Sequence, residues 1–548
     1  MNRLLTILCF FLVFVFTNTF AQDEFTRTMI INSVAYEGNG FGGIVGPVDF
    51  DGDGKPEIYM CNTNTIDLPA SVLIPRLYKF ELNNGVWDMV WSAETAIPLQ
   101  NTWPAFTMGD LDGDGKPEII WGPVNWTDPS NPNPARILVY EYPGDGSDNM
   151  GVPDGVGGFY PNAAFSIVNV DNFNLRPNRF VVADVDGDGK SEIVHCDRVA
   201  GSTAGAPLAD FHVGIISVSD IPNDGSGLET WTIEFTGKND STFSGTGNKW
   251  DVNVLNNYVY VWGSNSNIYP VKFNGTAYES LNPILGAATG NSHASSQVLD
   301  IDGDGTKEIV YGSWFAPAKV FLLQPNGDDL TVTEIADFSS LGIQRLQGSA
   351  YGDLNSNGKV DIVFGTRWVD ATTPNFAVVR LEYLGGDITS QASYATSILD
   401  SGAVEGGEAS VIAVGNFDND SDDEIIFTAS YPRGPAPDVI DVYFLDRVTT
   451  SVEAENSGIP ANFYVEQNYP NPFNPSTSIK FGISEAINVD LRVYDVLGRE
   501  VSVLIQNQYL EAGSYTATFD GEGLASGIYV YKITAGQNTK SMKMQLLK

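Results

Sequence analysis

Histidine is nearly absent, three residues in 548, and cysteine is equally scarce at three. This excludes a histidine-rich metal centre and leaves little room for imidazole chemistry. Basic residues are also few: 29 Lys and Arg stand against 68 Asp and Glu, a formal charge of −39. Nucleic acid and anionic membrane surfaces need a basic footprint, so neither is expected as a partner. Charged residues make up only 18%, while hydrophobic residues reach 43%. A large core can therefore form, and wholesale disorder is excluded. No long apolar run follows the first twenty or so residues, so no transmembrane segment is expected in the mature protein. Glycine (56) and proline (29) are plentiful, which suits many short strands joined by turns. The length exceeds one ordinary domain.

Residues 1–21 read as an export signal. Arg3 gives a positive start, Leu4 to Phe16 an apolar stretch, and Thr19-Phe20-Ala21 a small-x-small cleavage site. Cys9 leaves with that segment, so Cys61 and Cys196 remain.

A repeat governs the next four hundred residues. The pattern D-h-D-G-D-G-x-x-E, with h apolar, runs Asp49–Glu57, Asp110–Glu118, Asp184–Glu192 and Asp300–Glu308. Each copy leads into an apolar stretch such as Ile58-Tyr59-Met60 or Ile119-Ile120-Trp121. Two looser copies are DLNSNGKVD, Asp353–Asp361, and NFDNDSDDE, Asn416–Glu424. A degenerate copy is read at Asp251–Val259, aligned without a gap because Trp262-Gly263 falls where Trp121-Gly122 falls. Seven copies at about 61 residues each leave room for four short strands, one blade of a β-propeller. The last blade has three strands of its own, and the unassigned Phe25–Val34 is expected to supply its fourth. Cys61 and Cys196 occupy one repeat position in blades one and three, too far apart to bridge, so two buried thiols are expected.

Oxygen ligands at alternate positions of a tight loop suit a hard cation. Positions 1, 3, 5 and 9 offer side chains, and position 7 offers a carbonyl. The ligand sets are Asp49, Asp51, Asp53, Lys55, Glu57; Asp110, Asp112, Asp114, Lys116, Glu118; Asp184, Asp186, Asp188, Lys190, Glu192; and Asp300, Asp302, Asp304, Thr306, Glu308. The looser sets are Asp353, Asn355, Asn357, Lys359, Asp361 and Asn416, Asp418, Asp420, Asp422, Glu424. Four close acids repel one another without a cation. Up to six structural Ca2+ sites are expected.

These repeats resemble the FG-GAP/VCBS family, the calcium-bearing blades also found in integrin α-chain heads. The resemblance covers residues 25–447 and implies a propeller with the acidic loop between a blade's first and second strands. Blade four departs from the family by losing its loop.

Residues 448–460 are polar and unpatterned and read as a linker. Beyond it, NYPNPFNP at 468–475 cannot be a helix or a central strand. Strand candidates follow at 477–483, 487–494, 500–504, 514–519, 527–534 and 539–547, which suits a small immunoglobulin-like β-sandwich. The stretches NYPNPFNPSTSIKF, VYDVLGREV and LEAGSYTATFDGEGLASGIYVYKI resemble the C-terminal sorting domain of the type IX secretion system. That resemblance implies a Gram-negative cell, a partner in the secretion machinery, and a mature protein at or beyond the outer membrane. The domain plan is a signal at 1–21, a seven-bladed propeller at 22–447, a linker, and the sorting domain at 461–548.

Loops entering a first strand and loops leaving a second strand share the face opposite the acidic loops. Trp103, Arg176, Arg179, His293 and Arg345 fall on the former; Trp126, Trp314, Arg367, Trp368 and Arg433 fall on the latter. Tryptophan faces with arginine suit sugars or anionic saccharides; packing between blades and pairing with neighbouring acids is the competing role. The leading expectation is a secreted, calcium-stabilised module binding glycan or protein. The alternatives are a polysaccharide lyase or hydrolase on a calcium propeller, and a purely structural surface protein. No nucleophile elbow and no acid pair outside the acidic loops is present to support a particular catalytic mechanism.

Overall fold

The computed structural model describes residues 25–31, 40–63, 74–95, 103–123, 135–166, 176–198, 213–237, 249–285, 290–315, 317–366, 375–403, 408–418, 422–430, 442–447, 452–455, 460, 462–484, 486–510, 512–521 and 524–547. The chain divides into two compact units, Met1–Arg447 and Val448–Lys548. The export signal expected at 1–21 lies outside the described residues.

The first unit is all-β. Its described residues form seven four-stranded antiparallel sheets, numbered one to seven here by the chain order of their first strands. Those first strands are Phe41–Val48, Ala105–Gly109, Arg176–Ala183, Lys249–Leu255, Gln297–Leu299, Leu346–Gly352 and Glu408–Gly415. Each touches the first strand of the next sheet, and Glu408–Gly415 touches Phe41–Val48. Six sheets take their strands in chain order. Sheet seven takes Glu424–Ser430, Val442–Arg447 and then Phe25–Ile31, from the start of the chain. Phe25 lies opposite Arg447 and Ile31 opposite Val442, so the expected closing strand is in place.

Second strands such as Glu57–Asn62, Glu118–Gly122 and Glu308–Gly312 are buried along their whole length. Strands covered on both faces need continuous apolar runs rather than alternation, and Ile-Tyr-Met or Ile-Ile-Trp supplies one. The core is correspondingly divided. Clusters of buried side chains lie between sheets one and two, two and three, and so on, and Ile31, Ile58 and Ile426 belong to the cluster between seven and one. Cys61 and Cys196 are buried in two different clusters and form no disulfide.

Backbones approach closely near the inner strands. A Cβ on Gly365 would sit 1.5 Å from the Ala409 carbonyl oxygen. Because backbone cannot yield as a side chain can, Gly365→Ala should destabilise the unit by about 3 kcal/mol, read as a lowered denaturant midpoint at unchanged slope.

Sheet four corrects the gapless alignment. Lys249–Leu255 and Tyr258–Gly263 are joined by a two-residue turn, Asn256-Asn257, with Asn256 at φ 57°. Positive φ suits asparagine in such hairpins. Asp251 pairs with Trp262, whereas Trp121 pairs with Phe106. Asp251 is thus not the first position of a decayed loop. It stands at the opposite end of its strand, and the loop has been deleted outright.

The second unit has two four-stranded antiparallel sheets. One joins Val452–Glu455, Gly513–Asp520, Ser476–Ile483 and Tyr464–Val465; the other joins Glu500–Leu510, Ile487–Asp495, Gly527–Ala535 and Asn538–Leu546. One core, including Phe481, Leu491, Phe519 and Ile533, serves both. Val452–Glu455 lies inside the stretch read as a linker, yet it pairs with Ser514–Ala517. Backbone pairing gives a polar segment a place that its side chains did not advertise. The proline-rich NYPNPFNP is no strand but a fastening: Phe473 is buried against Phe519, and Asn468 donates to Thr477 Oγ1 at 2.9 Å.

Candidate functional site

Five acidic loops share one hydrogen-bond frame. The first-position carboxylate accepts from the sixth-position glycine N–H: Gly54 (3.0 Å), Gly115 (3.1 Å), Gly189 (3.1 Å), Gly305 (2.8 Å) and Gly358 (2.7 Å). The fifth-position side chain accepts from the seventh residue's N–H, as in Asp114 with Lys116 (2.8 Å) and Asn357 with Lys359 (2.8 Å). The ninth-position acid reaches back to the second residue's N–H, as in Glu118 with Leu111 (3.0 Å) and Glu192 with Val185 (2.7 Å). Sixth-position glycines have positive φ, 84° at Gly54 and 76° at Gly358, where a side chain would be strained. In sheet seven Glu424 accepts from Phe417 at 2.8 Å and Asp422 is held by Arg447 at 2.5 Å. Asp420 lies outside the described residues.

The ninth acids are deeply buried, Glu57, Glu118, Asp361 and Glu424 fully so. Burial pushes the Glu118 carboxyl up to about 9, that of Glu192 to about 8, and those of Glu308 and Asp361 to about 7. A carboxyl so placed takes up either a proton or a cation. Oε1 of Glu118 has no hydrogen-bond partner and faces Asp110 and Asp112. In the third loop Asp184, Asp186, Asp188 and Glu192 bring ligand atoms within 4.8 Å of one another; Asp300, Asp302 and Asp304 do the same in the loop of sheet five. Oxygen-only donor sets of this kind fit a hard divalent cation.

Third-strand charges join these loops and escaped the sequence reading. Glu81 and Glu141 lie opposite Glu57 and Glu118 and take the seventh-position lysines, Lys55 at 2.6 Å and Lys116 at 3.0 Å. Lys79, one pleat away from Glu81, reaches Glu57 at 2.7 Å. Their shared signal is a recurring Glu at one register of the third strand, legible only after the strands are paired.

Of the residues expected on the opposite face, the structure gathers Trp103, His293, Trp314 and Arg345. Ring centroids are 6.3 Å apart for Trp103–His293 and 4.9 Å for His293–Trp314, and the Arg345 guanidinium lies 5.3 Å from the Trp314 ring centre. Trp250 and Phe315 complete the group, Trp250 at 5.4 Å from His293 and 5.7 Å from Phe315. The misaligned fourth repeat concealed Trp250, which enters sheet four as Trp103 enters sheet two. Beside this group is a cavity of about 220 Å3 lined by residues of the inner strands, among them Thr107, Asn178, Gln297 and Ser349. Pro104 and Ala294, chain neighbours of Trp103 and His293, also line it. A larger groove of about 780 Å3 lies along the Ser92–Thr95 edge of sheet one against Asp154–Pro161.

Arg179 follows the competing role. Its guanidinium pairs with the buried Asp251 and donates to the Ser296 carbonyl at 2.8 Å, while Asp251 also accepts from the N–H groups of Ser295 (3.0 Å) and Ser296 (2.9 Å). Asp251 and Arg179 therefore tie sheets three, four and five together. Arg176 is placed in the sheet-three ladder opposite Arg198. Trp126, Arg367, Trp368 and Arg433 lie outside the described residues.

Residues 467–546 match the family of secretion system C-terminal sorting domains. Those residues are a sorting domain. That makes the chain a secreted or cell-surface protein. Residues 49–121, spanning the first two acidic loops, are an FG-GAP-like repeat. Rhamnogalacturonan exolyase YesX of Bacillus subtilis (strain 168) is 27% identical over an alignment of 246 positions that covers 38% of this chain. The match spans only 37% of that enzyme's length. Among solved structures, Drosophila semaphorin 2a overlaps 96% of this chain and 97% of its own at a TM-score of 0.36 and 9% identity. The N-terminal domain of Nup159 overlaps 78% of this chain and 97% of its own at 0.34 and 8%. Overlaps this loose transfer nothing. Among the described residues no helix is long and apolar enough to cross a membrane.

Proposed function

We propose that this chain is an extracellular glycan-binding module: a calcium-stapled, seven-bladed propeller over residues 22–447, exported by a signal at 1–21 and by an immunoglobulin-like type IX sorting domain at 461–548 of a Gram-negative cell. The ring of sheets, closed by Phe25–Ile31, supports the seven blades. The carboxylate clusters and the orphaned, buried Glu118 Oε1 support calcium. The ligand face is carried by one observation, the Trp103–Trp250–His293–Trp314 group with Arg345 beside an inner cavity. Aromatic faces stack on the apolar side of sugar rings, and a guanidinium selects a carboxylate. An acidic polysaccharide is the matching ligand class.

The test is titration calorimetry with rhamnogalacturonan oligosaccharides beside neutral ones. Arg345→Ala and Phe315→Ala should each weaken binding of the acidic set about tenfold, a loss of roughly 1.4 kcal/mol. Equal binding by both variants and the parent would remove the face from consideration. A second reading, a polysaccharide lyase, is favoured by the identity to an exolyase. Appearance of ultraviolet-absorbing unsaturated products from the same oligosaccharides would establish it.

A further inference from the structure

The first and third acidic loops share the pattern D-h-D-G-D-G, yet their carboxylates are arranged differently. In the third loop all four carboxylates converge on one point. In the first, Asp49, Asp51 and Asp53 form one group, while Glu57 joins another with Asp51, Glu81 and Asp148. At the centre of that second group is the ammonium of Lys79. It lies 2.7 Å from Glu57 Oε1, 2.9 Å from Asp148 and 3.3 Å from Asp51, and its side chain is 1% exposed. Glu57 Oε2 is also engaged, accepting from Phe50 N–H at 3.3 Å and Tyr59 Oη–H at 3.1 Å. The ninth ligand of the first loop is therefore occupied by the protein itself.

The register shows where this originates. Two residues after the ninth acid of sheets one, two, three, five and six, the second strand faces one residue of the third. That residue is Val139 opposite Ile120, Ile215 opposite Val194, and Leu322 opposite Val310. It is Lys79 opposite Tyr59 and Arg380 opposite Val363. The position is aliphatic in sheets two, three and five and basic in sheets one and six. Arg380 is buried, 3.2 Å from Glu382 and 3.9 Å from Asp361, in the sheet whose loop has Asn355 and Asn357 in place of acids.

We propose that this single third-strand position decides whether an acidic loop takes up a metal ion: an aliphatic residue leaves the ninth acid for calcium, whereas Lys79 in sheet one, and Arg380 in sheet six, serves as a resident cation and keeps calcium out. The proposal rests on the calcium reading above. A divalent ion beside a buried ammonium would be repelled through a low-dielectric interior, and two of the carboxylates it needs, Asp51 and Glu57, are already paired with Lys79. Loops one and three thus differ in metal content although their consensus acids are the same. The tether also links blades, since Asp148 comes from the segment after sheet two's third strand.

The test counts calcium per full-length chain by equilibrium dialysis and elemental analysis. Asp188→Asn, in the third loop, should lose one ion, whereas Asp53→Asn, at the corresponding place in the first, should lose none. Lys79→Met should gain one ion relative to the parent. Loss of an ion in Asp53→Asn, or a folded Lys79→Met with the parental count, overturns the proposal. The Asp53 comparison decides the matter even if Lys79→Met fails to fold. A parent protein that takes up no calcium at all overturns the calcium reading itself, a result distinct from a parent that loses an ion in both aspartate variants.

Discussion

Removing residues 23–35 should destabilise the first unit as a whole. The deletion takes away Phe25–Ile31, the outer strand of sheet seven. It takes Ile31 from the cluster between sheets seven and one, and Arg27, which lies 3.3 Å from Asp400 of sheet six. One buried isoleucine is worth about 1.5–3 kcal/mol, and the strand's backbone bonds add to that. A total on the order of 5 kcal/mol is as large as the net stability of many domains. An exposed edge on Val442–Arg447 would also invite association between copies. The expected outcome is aggregation, or a melting transition lowered by about 10 °C or more, with partial rescue by a synthetic peptide of residues 23–35. A truncated protein that melts like its parent would mean that the strand only decorates the unit.

Chelation should lower the melting transition of the first unit and leave that of the second unchanged. Without a cation, Glu118 and Glu192 are buried with neighbouring aspartates clustered on them, and buried Glu308 feels the charges of Asp300, Asp302 and Asp304. Breaking a buried charge pairing costs about 3–5 kcal/mol, and protonation at neutral pH recovers part of that for Glu118, whose carboxyl is pushed up to about 9. With three such loops, the transition should fall by about 10 °C or more. Calcium should restore it better than magnesium, which demands near-ideal octahedral geometry. The acidic repeats end before Val448, so the second unit serves as an internal control. An unchanged first transition after verified metal removal would end the calcium reading.

The sequence was most informative where structure repeats locally. The acidic loops, their glycines and the apolar second strands recur with fixed spacing, so sheets one, two, three, five, six and seven could be read directly. The closing strand was legible because sheet seven lacked a fourth member. What was not legible depends on partners distant in sequence. Lys79 acquires meaning only when Arg76–Asn83 is paired with Glu57–Asn62, placing it opposite Tyr59. Trp250 was hidden because deletion of a loop moved Asp251 to the other end of its strand. Val452–Glu455 was hidden because its place in the ladder is fixed by Ser514–Ala517, sixty residues downstream. Arg179 could be read either as a ligand residue or as an acid's partner until sheets three and four were in place and set Asp251 beside it.

The pairing of Phe25 with Arg447 joins the earliest and latest described segments of the first unit. A polypeptide emerging from its amino end must therefore keep one strand unsatisfied while more than four hundred residues follow. Contacts of such long range form slowly, and no partial product can mimic them. Any chain broken off before Val442 presents sheet one and Phe25–Ile31 without their counterparts, with apolar side chains and backbone groups open to proteases. The fold thereby inspects its own completeness: only a chain synthesised to the end of the unit can hide its beginning.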